Sequence, residues 1–328
     1  QTRISNTMKF LITGGAGFIG SNIAEFLLRK GHQVRILDNF STGKRENIAG
    51  ILDKIELIEG DVRDYWIVSQ AVSGVDYVLH QAALASVPRS IKNPLTSNEV
   101  NINGTLHLLE ASRLAGVKKL VFACSSSVYG ESEELPKHEA MIPSPLSPYA
   151  ITKLTGEYYL KVYWNLYQFP TVSLRYFNIF GPKQDPNGEY AAVIPKFITA
   201  FMDGKQPTVF GDGEQSRDFT YIDNCIMANY LAATDDKIAG EHFNVACGGQ
   251  FTLNQLLDKI RSIMGVEIPA NYLPARQGDI RHSFASISKF GKFGYNPQVG
   301  FEDGLRKTVE FFMRQTGKSL PSLSGQKK

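Results

Sequence analysis

Short apolar runs, each closed by a polar residue or a glycine, alternate with longer amphipathic stretches through the first half of the chain. Residues 9–13 (KFLIT), 33–38 (QVRILD), 54–61 (KIELIEGD), 75–83 (VDYVLHQAA) and 118–126 (KKLVFACSS) read as strands. Residues 18–30 read as a helix stopped at Gly31, and 98–115 as a helix stopped at Gly116. A further helix starts at Tyr149 and is followed by a strand at 171–177 (TVSLRYF). Strand alternating with helix predicts an α/β fold, a doubly wound parallel sheet with helices on both faces. From Gly181 the alternation breaks into pieces punctuated by Gly, Pro and Asp, with helices expected near 193–204, 223–235 and 252–264. The reading is one large unit over 8–180 and a smaller mixed lobe over 181–316. The two interleave, because 240–249 (GEHFNVACGG) reads as a strand returning to the main sheet. The ends, 1–7 and 317–328, are polar and expected to be loose, and the first lacks the apolar core of a signal peptide.

Ligands of open parallel sheets bind beyond the carboxyl ends of the strands. The expected strands end at Gly14, Asp38, Asp61, His80, Ser125 and Tyr176–Asn178, so the residues able to do chemistry converge on one edge. Bulk composition narrows the classes. Of 328 residues, 43% are hydrophobic and 20% charged, as in an ordinary globular protein, and the net charge of +3 is too small to point to nucleic acid. No apolar run approaches a membrane span. Three cysteines, Cys124, Cys225 and Cys247, form neither a paired framework nor a metal-ligand spacing, which suits a reducing, cytoplasmic compartment and predicts no metal.

The first strand and helix are joined by ITGGAGFIGSN, with Gly14, Gly17 and Gly20 three residues apart. Glycines there let the backbone turn tightly and approach a pyrophosphate at the helix's positive end. Asp38 follows at the end of the second strand, where a carboxylate accepts hydrogen bonds from an adenosine ribose. This is a Rossmann dinucleotide unit. Asp38 favours NAD, because it would repel the extra phosphate of NADP. Arg35, Lys44 and Arg45 are the nearby cations that could instead attract one. Asp61 is positioned either to meet the adenine or merely to end its strand.

Tyr149 and Lys153 lie one helical turn apart, just past the serine loop 125–127. A phenol with a pKa near 10 is a poor base at neutral pH. A neighbouring ammonium and a positively charged nicotinamide would favour the phenolate, which could take a proton from a hydroxyl while hydride leaves the same carbon.

The segments TGGAGFIG, HQAA (80–83), VNINGT (100–105), SSSVYG (125–130), SPYAITK (147–153), RYFNIFGP (175–182), GDGEQSRDFTYIDN (211–224) and RQGDIRHS (276–283) together resemble the extended short-chain dehydrogenase/reductase superfamily, and within it the nucleotide-sugar 4-epimerases. The resemblance spans nearly the whole chain. It implies Tyr149 as the base, Lys153 as its partner and a ligand of the nicotinamide ribose, and Ser125 or Ser126 as the proton relay. It extends the cofactor site to Phe18 and Ile19, to Asn39, Ser41, Thr42 and Gly43, and to Val62, Gln81, Ala82, Ala83, Asn101 and Tyr176. On the substrate side it implies Asn178, Arg217 and Arg276 on a diphosphate, Asp279 on a ribose hydroxyl, and Ser86, Arg89, Val193 and Lys196 around the sugar and nucleotide.

Two features refine the expected reaction. CSSSVYG has no acid before Glu131, so the loop lacks the carboxylates that sugar-nucleotide dehydratases use to expel water. Ser283 occupies the position where related 4-epimerases carry a gating residue, and a small side chain there leaves room for an N-acetyl group. The expectation is an NAD-dependent 4-epimerase of UDP-GlcNAc and UDP-GalNAc, forming a homodimer through the helices at 98–115 and 149–168. The alternatives are a UDP-hexuronate 4-epimerase, with Arg89 on the carboxylate, and a non-catalytic NAD sensor.

Overall fold

The structure is a computed structural model that describes residues 7–132, 134–187, 191–275 and 281–317. Six strands, β1 (Lys9–Thr13), β2 (Gln33–Asp38), β3 (Glu56–Glu59), β4 (Tyr77–His80), β5 (Lys119–Ser125) and β6 (Thr171–Tyr176), join the Glu241–Val245 strand in one seven-stranded sheet. All its pairings are parallel, in the order β3-β2-β1-β4-β5-β6 with Glu241–Val245 beyond β6. The chain winds outward from β1 to β3 and then restarts at β4 on the other side. That reversal opens a crevice at the carboxyl ends of β1 and β4, the Rossmann switch point.

Strand periodicity sorts the core into two layers. Phe10, Ile12, Ile36, Leu79 and Val121 face one layer, with Ile23 and Leu27 of helix Phe18–Arg29 and Cys225 and Ile226 of helix Ile222–Thr234. Leu11, Leu37, Val78, Leu120 and Phe122 face the other, with Val68 and Val72 of helix Tyr65–Val72, Leu108 of helix Gly104–Leu114 and Leu160 of helix Pro148–Tyr167.

The expected strand at 54–61 shortens to Glu56–Glu59, and that at 75–83 to Tyr77–His80. In each case the polar or glycine residues beyond leave the sheet to line its edge. The expected helix at 98–115 is part of a longer rod, Pro94–Asn98 and Gly104–Leu114 joined by the π-helical turn Glu99–Asn103. Helices Tyr65–Val72 and Phe301–Gln315 go beyond the expected elements. The first has Asp64 as its N-cap, accepting from the backbone N–H of Trp66 and Ile67. The second buries Phe301, Leu305, Val309 and Met313, a repeat of four that marks one helical face. The smaller lobe is built from short ribbons: Ile179–Phe180 with Thr220–Tyr221; Phe251–Thr252, Ser216–Arg217 and His282–Ser283; and Thr208–Phe210 with Asn271–Leu273.

Helix Pro148–Tyr167 is held unusually close to the sheet. Ser147 caps it by accepting from Ala150 N–H, and Pro148 supplies a first-turn residue without a donor. A Cβ at Gly156 would lie 2.6 Å from the Phe122 ring, so only glycine permits this approach. The next residue, Glu157, accepts two bonds from Arg175 of β6 (2.6 and 3.0 Å) and one from Ser173 (2.9 Å). Arg175 is 1% and Glu157 5% exposed, so neither charge has water to fall back on.

Glu157→Ala would strand the Arg175 guanidinium, and it should lower the unfolding free energy by about 3–5 kcal/mol. Urea titration of the purified variant measures this; a loss under about 1 kcal/mol would mean that Arg175 finds solvent instead.

Candidate active site

A cavity of about 620 Å³ runs along the carboxyl edge of the sheet, past the ends of β1 to β6. A second, of about 260 Å³, lies toward the smaller lobe and shares Asn178 and Ile179 with the first. Together they form one cleft whose two ends differ in chemistry.

At the glycine turn, Gly14 has φ +69°, and a Cβ at Gly20 would meet the Gly14 carbonyl at 2.3 Å. Both positions therefore require glycine. Helix Phe18–Arg29 begins at Gly17 with no side-chain cap and no acid in its first turn, and Phe18, Ile19 and Gly20 line the cavity. An uncapped, electropositive helix end facing a cavity fits the pyrophosphate of a dinucleotide. Asp38 lines the same cavity and accepts from the N–H groups of Ala16 (2.9 Å) and Phe40 (2.8 Å), which fixes the carboxylate at the end of β2.

The three cations that could attract the extra phosphate of NADP are all engaged. Arg35 pairs with Glu56 (2.7 Å), Arg45 with Glu59 (2.6 Å) and Lys44 with Asp185 (2.9 Å). The residues at this end therefore fit NAD better than NADP. Asn39, Ser41, Thr42, Gly43, Val62, Gln81, Ala82 and Ala83 also line the cavity. Asp61 does not. The Arg63 side chain binds its carboxylate through two bonds and its backbone N–H through a third, holding its pKa down to about 2, and Asn39 adds a fourth bond. Asn101 also lies off the cavity: its side chain accepts from Leu84 N–H (2.8 Å) and donates to Thr152 (3.0 Å), tying the loop after β4 to helix Pro148–Tyr167.

At the other end of this cavity, Ser125, Tyr149 and Lys153 come together. The Ser125 hydroxyl accepts from Ser127 N–H (3.1 Å) and lies close enough to the Tyr149 phenol to favour its ionised form. Tyr149 N–H donates to Ser90 Oγ (3.0 Å), which fixes the start of its helix. Burial pushes the phenol up to about 12, against the hydrogen bond from Ser125, and pushes Lys153 down to about 8. Lys153 Nζ donates to the Ala123 carbonyl (2.7 Å) and stands 5.9 Å from the centre of the Tyr149 ring. Lys153 thus makes no direct contact with the Tyr149 hydroxyl, and its charge acts on the phenol across the cavity. Ser126 begins the 3-10 turn Ser126–Tyr129 and is not among the cavity-lining residues, whereas Ser125 lines the cavity with Tyr149.

Tyr176 and Asn178 line the first cavity, and Asn178, Val193 and Arg217 line the second. Asn178 has φ +39° and donates to the Asp218 carbonyl (3.2 Å), an asparagine in the left-handed region bridging the two halves of the cleft. Ser283 is the register partner of Arg217. Ser86 caps helix Val87–Lys92 by accepting from Arg89 N–H (3.2 Å); Ser86, Arg89 and Lys196 line neither cavity. Arg276 and Asp279 lie outside the described residues. The motif reading missed Lys183, Gln184 and Asp185, which line the cavity mouth. Lys183 reaches across to Glu25 (2.6 Å) and the Asn47 carbonyl (2.7 Å), and Asp185 to Lys44. The only available signal was their position just after RYFNIFGP.

Lys153 gives the site a pH signature. Its folded pKa of about 8 lies below the 10.5 of an exposed lysine, so the folded protein binds fewer protons than the unfolded chain between those values. The penalty is therefore complete below pH 8 and is relieved as pH rises to 10.5. Lys153→Met, studied without cofactor, should be more stable than the natural protein at pH 7 by about 1–3 kcal/mol, the margin closing through that window. Denaturation at a series of pH values checks this; a less stable variant at pH 7 would show that Lys153 carries no burial penalty.

Residues 10–246 match the model of the NAD dependent epimerase/dehydratase family. The chain is 38% identical to the UDP-glucose 4-epimerase of Mycolicibacterium smegmatis, over 94% of this chain and 100% of that one. Among solved structures it is similar to the UDP-N-acetylglucosamine 4-epimerase of Methanobrevibacter ruminantium in complex with UDP-N-acetylmuramic acid. That match has 43% identity and a TM-score of 0.90 and covers 94% of this chain and 99% of that one. It is also similar to the UDP-glucose 4-epimerase of Thermotoga maritima with UDP-glucose, with 38% identity and a TM-score of 0.90, over 95% and 100% of the two chains. With a family match over most of the chain and a cleft whose residues fit a dinucleotide, the chain belongs to the NAD dependent epimerase/dehydratase family, and its cofactor is NAD.

Proposed function

We propose that this NAD-dependent UDP-sugar 4-epimerase interconverts UDP-GlcNAc and UDP-GalNAc. The observation that carries the reading is the grouping of Ser125, Tyr149 and Lys153 in one cavity with no acid beside them. Among the described residues lining the two cavities, the carboxylates are Asp38 and Asp185, both at the cofactor end. Loss of water from the sugar therefore lacks an acid, and reversible oxidation at carbon 4 is the chemistry left.

NAD, when bound, supplies the hydride acceptor and gives the hydride back. Tyr149 takes the proton of the sugar's 4-hydroxyl and later returns it. Ser125 holds the phenol and bridges it to that hydroxyl. Burial holds the phenol near 12, so a positive charge in addition to Lys153, as an oxidised nicotinamide would bring, favours its role as base. Lys153, half-deprotonated near pH 8 without ligand, regains its charge when a ribose or phosphate oxygen accepts from it. Asn178 and Arg217 at the junction and the second cavity suit a diphosphate, which stays anchored while the keto-sugar turns to present its other face.

The acetylated substrate is supported by Ser283, which lines neither cavity itself but stands in register with Arg217, a lining residue of the second, so that a small side chain at this position would leave room for an acetamido group. The uronate alternative needs a cation for the carboxylate. Its candidate, Arg89, lines neither cavity.

Incubating the purified protein with UDP-GlcNAc, UDP-glucose and UDP-glucuronate, without added cofactor, tests the proposal. UDP-GalNAc should form. Tyr149→Phe should lower that rate by about 100-fold or more. Ser283→Tyr should lower it at least about tenfold and spare UDP-glucose. Equal losses on acetylated and plain sugars would sink the gating role of Ser283, and turnover of UDP-glucuronate alone would sink the substrate.

The proposal includes a cytoplasmic homodimer. Its supports are the three unpaired cysteines and an exposed apolar stripe, Ile151, Tyr158, Val162 and Leu166, along helix Pro148–Tyr167. Sedimentation velocity should give a dimer that Tyr158→Glu weakens; a natural protein that sediments as a monomer at micromolar concentration would refute it.

A further inference from the structure

Two phenols line the first cavity, Tyr149 and Tyr176, on strands and helices that meet at the same edge. Ser125 and Tyr176 are register partners on β5 and β6, so the two tyrosines border the same stretch of the cleft. Something must make one of them the base and keep the other inert. The difference lies in what each hydroxyl is bonded to. The phenol of Tyr149 shares the cavity with the hydroxyl of Ser125, which can pass a proton on. That of Tyr176 is locked into a closed ring with two carboxamides, Gln81 and Asn229.

The directions of the bonds in that ring follow from one fixed point. Asn229, fully buried on helix Ile222–Thr234, lies 2.8 Å from the Cys225 carbonyl, which can only accept. This settles Nδ2 as the atom on that side. The other proton of Nδ2 goes to the Tyr176 hydroxyl (2.7 Å), and Oδ1 is left to accept from Gln81 Nε2 (3.0 Å). Gln81 must then turn Oε1 toward Tyr176, whose hydroxyl donates to it (3.1 Å). The Tyr176 hydroxyl also lies 3.0 Å from Asn229 Oδ1, so its one proton is shared between the two carboxamide oxygens and stays within the ring. Helix Ile222–Thr234 packs on the sheet face opposite helix Pro148–Tyr167, so the ring walls the cavity from the side facing away from Tyr149.

We infer that Asn229 is a positioning residue for hydride transfer: by locking Gln81 and Tyr176 it builds the wall that holds the nicotinamide ring of NAD, and it removes Tyr176 as a competing proton carrier. The inference deepens the epimerase reading and rests on it for the identity of the reaction. Oxidation of the sugar carbon sends a hydride to the cofactor and a proton to Tyr149, and both must come back. A second phenol free to take that proton, or a wall that lets the redox ring tilt, would break the return. Burial, which pushes the Tyr176 phenol far above its ordinary value, acts in the same direction as the ring.

The test uses the NAD-loaded protein and the variants Asn229→Leu, Tyr176→Phe and the two combined. Asn229→Leu should lower kcat at least about tenfold while KM stays within about threefold and bound NAD is unchanged, the pattern of a misplaced reacting group. The double variant should be no worse than the worse single one, because both break the same ring. A readout independent of turnover is the fluorescence of bound cofactor after borohydride reduction. Its anisotropy should fall in both single variants as the ring of NADH loosens. A folded Asn229→Leu with kcat within about threefold of the natural protein and unchanged anisotropy would overturn the inference, as would losses that simply multiply. If the natural protein turns over no UDP-sugar, the functional reading fails, and the anisotropy still decides the role of Asn229. If Asn229→Leu does not fold, the near-isosteric Asn229→Asp, which keeps the acceptors but cannot donate to Tyr176, decides by the same measurements.

Discussion

Everything at the reacting end of the cleft depends on how closely helix Pro148–Tyr167 lies against β5 and β6. Three successive contacts set that distance. Lys153 donates to a β5 carbonyl, Gly156 admits the Phe122 ring where any side chain would collide, and Glu157 is clamped by Arg175 of β6. They sit within five residues, just over one turn of helix. Tyr149 is one turn before the first of them, so its phenol reaches the end of β5 and the Ser125 hydroxyl. A buried Glu–Arg pair is a costly way to join a helix to a sheet, since both charges lose their water. What it provides is direction: a two-bond fork accepts one orientation, where apolar packing would tolerate a slide along the helix axis.

That close seating also explains the electrostatics. The helix excludes water from the space it shares with the sheet, and burial then moves the two titratable groups toward neutrality from opposite sides, Tyr149 up and Lys153 down. Lys153, with its pKa lowered only to about 8, still carries its charge at neutral pH, whereas the Tyr149 phenol is held in its neutral form by burial. A further cation in the cavity favours the phenolate, and oxygen acceptors favour the ammonium.

Much of this was legible in the sequence, and for a local reason. The strand ends Gly14, Asp38 and Ser125 and the helix start at Tyr149 are set by short patterns, and a parallel sheet brings the ends of its strands to one edge whatever the loops do. The returning strand Glu241–Val245 was legible for the same reason, as an apolar run bounded by Gly240 and Gly248. What could not be read were relations between residues far apart in the chain. Whether Arg35, Lys44 and Arg45 are free to attract a phosphate depends on Glu56, Asp185 and Glu59, which no local pattern connects to them. Nor does any local pattern show that Arg63 pairs with the carboxylate of Asp61. Choosing Ser125 over Ser126 required the cavity, which Ser125 lines and Ser126 does not. Asn229, 148 residues from Gln81 and 53 from Tyr176, carries no signal on its own helix beyond being a polar residue on the buried face.

The cleft is thus asymmetric in a way that the chemistry requires. One wall, from helix Pro148–Tyr167, carries groups whose protons can move: a phenol on a serine, with an ammonium one turn away. The opposite wall, anchored by helix Ile222–Thr234, carries a phenol and two carboxamides whose protons are committed to one another. An oxidation that must be reversed on the other face of the sugar needs both kinds of wall. The sugar has to turn between the two hydride transfers, so the enzyme cannot rely on the substrate to hold the geometry. It must hold the cofactor rigidly from one side and keep a single proton carrier on the other. A fold with two helical layers on one sheet supplies those two sides from different elements, joined at the paired strand ends Ser125 and Tyr176.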